Sequence, residues 1–406
     1  MRQGFRVIDS DTHVNPMLDV LLGYADKDLT DRVEELEPYI RQEGEHTSLS
    51  VAPIRYNRVA GSREPDAVQI QAGAANNLAG RTRMRTSKPI APEVTETNSF
   101  GRLADMDEEG ADIHFIIAGP WAYAAPALSH DLTLGLYAAY HRYMTEYCSA
   151  DTRRLKGHII APGADAEWSA RAIRELARED WPAAVWPTLP LDLPIDDPSL
   201  DPIWEAAQEA GLPIMYHGFT VEPPYYPGYR DIWNNAAMSR AAGQVWGGQR
   251  FLTFMLISGI MDRYPELRVG TLECGHGWLP HWLLRIGRQI DYVAGAVPSD
   301  LKHTPIEYVQ AGRVFCGIDQ SEGPEMTKAV IDLLGDGVLM FLSDYPHPET
   351  LFPDTIDSVI GWQATLGAQA TRRLMGDNAA RFFRLTTTPW PETPAPVSTT
   401  VTGPGC

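Results

Sequence analysis

Val7-Ile8-Asp9-Ser10-Asp11-Thr12-His13 stands near the start of the chain, where two apolar residues run directly into an Asp-x-His pair. Alternate residues of an extended chain point to the same side, so a strand ending here would offer the Asp11 carboxylate and the His13 imidazole to one point. That is a metal-ligand pair in outline. Three-residue matches of this kind are frequent, however, and a turn aspartate followed by a surface histidine reads the same way. The weight of the pair depends on what the rest of the chain brings to equivalent places.

Working outward, Arg102 to Glu109 reads as a helix stopped by Gly110, and Ile113 to Ala118 follows as a buried strand. Further strands are expected at 157–161, 183–186, 213–217, 268–274, 314–317 and 338–343. Helical stretches lie between them at 131–148, 166–177, 202–210, 238–263, 279–294 and 324–334. Short apolar strands alternating with helices indicate a parallel sheet. With Phe5 to Ile8 the strands number eight, the count that closes a (β/α)8 TIM barrel of the α/β class. The barrel is expected over residues 1–383, with an N-terminal insertion at about 24–100 that is partly helical around Leu29 to Ile40. A long loop at 219–248 follows the fifth strand and so falls on the active face; its aromatics would equally suit a dimer contact. Residues 384–406, rich in Pro and Thr, are expected to form a disordered tail.

Composition narrows the function. A net charge of -19 with pI near 5.0 argues against nucleic acid, whose phosphates need a basic face. Cys148, Cys274, Cys316 and Cys406 form no CxxC pair, which argues against a disulfide framework and against a thiolate zinc site. No apolar run reaches about 18 residues and the N-terminus has no signal-like apolar core, so a soluble cytoplasmic protein is expected.

In a barrel of this kind the chemistry sits at the C-terminal strand ends. Besides Asp11 and His13, these ends carry Tyr216-His217-Gly218, Glu273-Cys274-Gly275-His276 and Ser343-Asp344-Tyr345-Pro346-His347. Imidazoles and carboxylates without thiolates form the ligand set of a catalytic Zn, Fe or Mn ion.

These motifs, with Arg263-Tyr-Pro-Glu-Leu-Arg-Val269 leading into 272–280, resemble the amidohydrolase superfamily over roughly residues 5–383. Within it they are similar to the amidohydrolase-2 branch, which includes aminocarboxymuconate-semialdehyde and resorcylate decarboxylases. The resemblance implies Asp11, His13, His217 and Asp344 as metal ligands, with Asp344 also handling a proton. No bridging lysine is evident, so one ion is expected, zinc ahead of iron or manganese. The sequence departs from the branch at strand six, where the usual histidine falls on Cys274. Glu273 and His276 beside it become candidates for a general base or a ligand, and Glu273, helped by His276 or His347, could hold a second ion. His347 is a candidate ligand in its own right.

The expected activity is a metal-dependent hydrolase in which activated water attacks an amide, ester, lactone or thioester. The alternative is a metal-dependent non-oxidative decarboxylase of an aromatic or unsaturated acid, against which the missing histidine counts. A non-catalytic binding protein is the third reading. Trp121, Tyr225, Tyr229, Trp233 and Trp246 would face a sizeable apolar or aromatic small-molecule substrate and Arg250 an anionic group. Relatives suggest a homodimer.

Overall fold

The computed structural model describes residues 1–43, 46–49, 85–119, 121–124, 128–189, 193–218, 236–347 and 349–385. Eight parallel strands form one sheet: β1 (Ile8–Val14), β2 (Ile113–Ala118), β3 (Leu155–Pro162), β4 (Pro182–Thr188), β5 (Ile214–His217), β6 (Val269–Leu272), β7 (Val314–Gly317) and β8 (Leu339–Met340). They pair in chain order, and the last returns to the first. Ser10 N donates to Phe341 O at 3.0 Å, Asp344 N to Asp11 O at 3.1 Å and His13 N to Tyr345 O at 2.7 Å. The expected (β/α)8 barrel is therefore present.

Two strands differ from expectation. β1 begins at Ile8 rather than ending there, because Arg2 and Phe5 bond each other's backbone in a tight turn. Asp11 and His13 thus lie inside the strand. β8 is short because the chain leaves β7 after Met340 and hands its hydrogen bonds to β1 in an irregular register. β1 itself carries a bulge: Asp9 pairs with His114 but Thr12 with Ile116, so three steps on one strand meet two on the other. A bulge re-aims the side chains beyond it.

The helices follow their sequence signals. α1 (Ser99–Glu109) is capped by Asn98, which accepts from Gly101 N at 2.8 Å, and ends at Gly110. Gly110 has φ 93°, a conformation that suits glycine. α2 (His130–Cys148) and α3 (Ala166–Leu176) flank β3. In α3 the buried positions Ala166, Ser169, Ala170 and Ile173 form one stripe of helical period, and Asp165 caps its start. α4 (Asp201–Ala210), α5 (Val245–Ile257), α6 (Leu279–Tyr292) and α7 (Gly323–Leu334) continue the ring. The far end of the barrel is plugged by the closing helix, Asn378–Phe382: Phe382 packs on Phe315 and Phe383 on Phe115, with ring centroids 5.2 and 4.3 Å apart. Buried apolar contact of this kind holds the ring closed there and leaves the opposite end for chemistry.

Within the expected insertion lie short helical turns at Lys27–Thr30 and Val33–Tyr39 and a hairpin pairing Ile40–Glu43 with His46–Leu49. The remainder of the insertion from 50 to 84 and the tail from 386 lie outside the described residues. Cys148, Cys274 and Cys316 are buried. No helix among the described residues is long and apolar enough to cross a membrane.

Candidate metal centre

β1, β5 and the segment after β8 bring Asp11, His13, His217 and Asp344 together inside the barrel mouth, all buried. One ligand atom from each of Asp11, His13 and His217 falls within 4.8 Å of the others, and the same holds for His13, Asp344 and His347. His13 Nε2 lies 3.2 Å from Asp11 Oδ1 and 3.1 Å from Asp344 Oδ1, and His217 Nε2 lies 3.4 Å from Asp11 Oδ2. Glu273 joins through His217, its Oε2 being 3.1 Å from Nε2. His347 donates from Nδ1 to Asp344 at 2.6 Å and stacks on His13, with ring centroids 4.1 Å apart.

Backbone geometry contributes to this aim. Glu273 and Asp344 have φ of 48° and 59°, in the left-handed region that non-glycine residues rarely adopt and that clusters at functional sites. Gly218, directly after His217, lets the β6 loop approach: a Cβ there would sit 2.6 Å from Glu273 O.

The electrostatics ask for a cation. Burial alone would depress the His13 imidazole, but Asp11 and Asp344 together carry it up to about 10. Burial opposes ionisation of Asp344 too, yet His347 and His13 hold its carboxyl below the usual range. Glu273 is pushed well above its usual value by burial and then by the Asp344 charge. Among the described residues neither oxygen of Asp11 accepts a hydrogen bond; the two imidazoles face it without hydrogen-bond geometry. Two buried acceptors opposite two imidazoles fit a divalent ion, because buried carboxylates need pairing or a metal. Asp11, His13, His217 and Asp344 are the residues that would hold it.

Beside the cluster opens a cavity of about 440 Å³, lined on its polar side by Arg85, Arg240, Gln244, Glu273, Asp344 and Glu349 and on its apolar side by Val245, Ile318 and Leu342. Arg240 and Gln244 come from a π-helical turn, Ser239–Gln244, a form frequent at functional sites. Gln244 donates to Glu273 Oε1 at 2.7 Å, and Arg240 NH2 lies 3.7 Å from the same oxygen while pairing with Glu349. Sequence reading passed over both residues. Their signal was indirect, namely their place in the long stretch after β5.

The other expected site residues stand elsewhere. His276, expected to take a catalytic part, has both ring nitrogens engaged: its Nδ1 accepts from Asp319 N at 3.1 Å and its Nε2 donates to Thr327 Oγ1 at 2.9 Å. Burial holds its ring down at about 4. Trp121 is buried against Tyr137 and Tyr140, Trp246 is half-buried on α5, and Arg250 lies over the Phe254 ring; none of the three lines this cavity. Tyr225, Tyr229 and Trp233 lie outside the described residues. Cys274, at the position of the branch's usual histidine, is buried with its thiol donating to Leu272 O.

Comparison with solved structures shows what the fold is similar to. The fold is similar to 5-carboxyvanillate decarboxylase from Sphingomonas paucimobilis, with 20% identity, TM-score 0.65, and coverage of 94% of this chain and 100% of that one. The enzyme of the same name from Novosphingobium aromaticivorans, solved with manganese and 4-hydroxy-3-methoxy-5-nitrobenzoic acid, matches at 19% identity and TM-score 0.67 over 94% and 97% of the two chains. For 2,6-dihydroxybenzoate decarboxylase from Rhizobium the figures are 18%, 0.58, 70% and 87%. No curated protein matches the sequence. The amidohydrolase family model matches residues 118–385, well over half of the chain. The chain therefore belongs to the amidohydrolase family.

Proposed function

We propose that the protein is a metal-dependent non-oxidative decarboxylase of an aromatic carboxylic acid. The observation that carries this reading is the ring-sized cavity whose polar wall is made by Asp344, Glu273 and Arg240. The named activities of the structural relatives support it over the hydrolase expected from sequence. Asp11, His13, His217 and Asp344 would hold a divalent ion, which would supply a Lewis acid for a substrate oxygen. Manganese is preferred to the zinc expected from sequence, since two carboxylates beside two imidazoles make an oxygen-rich set and the Novosphingobium relative holds manganese.

The chain's own residues do the rest. Arg240, on the cavity wall beside Glu349, meets the acid's carboxylate, and Val245, Ile318 and Leu342 flank the ring. A proton adds to the ring carbon that bears the carboxyl, the bond from ring to carboxyl breaks, carbon dioxide leaves, and the electron pair of that bond returns to the ring. The proton comes from His347, which the ionised Asp344 holds at 2.6 Å and which, at the rim, takes the next proton from solvent.

Hydrolysis remains the second reading, favoured by Glu273, a carboxylate held by Gln244 against a ligand histidine. Incubation of the manganese-loaded protein with ortho-hydroxybenzoic acids and, separately, with their methyl esters in 18O water separates the two. Release of carbon dioxide from the acids with no 18O in the organic product is expected; an 18O-labelled acid formed from the esters, with no carbon dioxide from the acids, contradicts the proposal.

A further inference from the structure

Arg102 is a charged residue on the wrong face of its helix. With Ser99, Met106 and Glu109 it forms the buried stripe of α1, and it is wholly enclosed. Among the described residues no carboxylate lies within ion-pair distance of it. A guanidinium so placed is costly unless its donors are well used.

They are used on the back of the metal centre. Nε donates to Tyr147 OH at 3.0 Å, NH1 to Thr12 Oγ1 at 3.1 Å, and NH2 to the His13 carbonyl. Thr12 in turn donates to Phe115 O at 3.0 Å, tying β1 to β2 directly beyond the bulge. The guanidinium also lies over the ring of Tyr345, 5.2 Å from its centroid, and Tyr345 O accepts from His13 N at 2.7 Å. Tyr345 follows Asp344 in the chain, and its hydroxyl is held by Asp105 at 2.5 Å. One planar fork therefore touches the backbone of one ligand, the hydroxyl between two ligands, and the ring beside a third.

We propose that Arg102 is a positioning residue for the metal centre: it fixes the spacing between the Asp11–His13 strand and the Asp344 loop, and so sets the affinity for a divalent ion. This rests on Asp11, His13, His217 and Asp344 being the ligands. Groups behind metal ligands characteristically act on affinity by about 10- to 100-fold. A lysine keeps the charge but not the fork.

The test is Mn2+ titration by calorimetry of chelator-stripped full-length protein, with thermal melting of the same metal-free samples. R102M is expected to weaken Mn2+ binding by about 10- to 100-fold and R102K by less. M106A, which opens a hole in the same buried stripe, is expected to lower the melting temperature while binding Mn2+ within about twofold of wild type. An R102M protein that melts early like M106A yet binds Mn2+ as wild type does would overturn the proposal. Should R102M not fold, R102K and T12V carry the test, T12V removing the Oγ1 contacts to Arg102 and to Phe115 O; wild-type affinity in both overturns it. Wild-type protein that takes up no Mn2+ removes the ligand reading itself, and this inference with it.

Discussion

His276 stands in the expected stretch with both of its ring nitrogens already engaged. Its two ring nitrogens are spent on Asp319 N and Thr327 Oγ1, so its part is to tie the β6 loop to α7. Replacing it by alanine should cost about 2–4 kcal/mol of stability in urea unfolding, as loss of a buried hydrogen-bonded side chain does. Turnover of the folded H276A protein should stay within about threefold of wild type; a hundredfold loss would show that the ring does enter the chemistry. That Asp11, His13, His217 and Asp344 come together was legible in sequence because each is a ligand-type side chain in or directly after an expected barrel strand, although Asp11 and His13 stand inside β1 rather than beyond its end. Arg102 and Arg240 were not, because their partners lie far along the chain. Only the helical period, which puts Arg102 in line with Met106 and Glu109, hinted that one of them is buried.

At the scale of elements, the π-helical turn and the end of α1 each carry a consequence. The turn Ser239–Gln244 presents Gln244 to Glu273 Oε1 at 2.7 Å. Q244L keeps the bulk and loses the donor, so kcat should fall about tenfold as Glu273 loses its orientation, with the melting temperature held. An unchanged kcat would mean that Glu273 needs no such support. Glu109 closes α1, where a negative charge opposes the helix dipole. Burial pushes its carboxyl up to about 7, although Thr355 N donates to it at 3.2 Å. Between about 4.5 and 7 the folded state then binds more protons than the unfolded one, so Glu109 makes stability fall as pH rises through that window. E109Q should remove this slope and raise stability at pH 8 by on the order of 1–3 kcal/mol. Urea midpoints from pH 5 to 8 that run parallel for the two proteins would contradict it. The helices and strand order were readable from periodicity, whereas the bounds of β1 and β8 were not. Hydrogen bonds passed between the first and last strands decide those bounds, and no local pattern records them.

The whole molecule places a plug at one end of the barrel and a charged mouth at the other. Phe115, Phe315, Phe382 and Phe383 close the first. At the second, buried carboxylates and imidazoles from β1, β5 and the segment after β8 meet at one point, an arrangement that hydrophobic packing would not favour and that a divalent ion would balance. The most direct test is metal content by mass spectrometry after loading with Mn2+ and removal of excess, for wild-type protein and H217A. The account predicts about one ion per chain in the wild type and less than about one-tenth in H217A that retains its helical circular dichroism. A folded H217A protein that holds as much manganese as wild type, or a wild type that holds none, would contradict it.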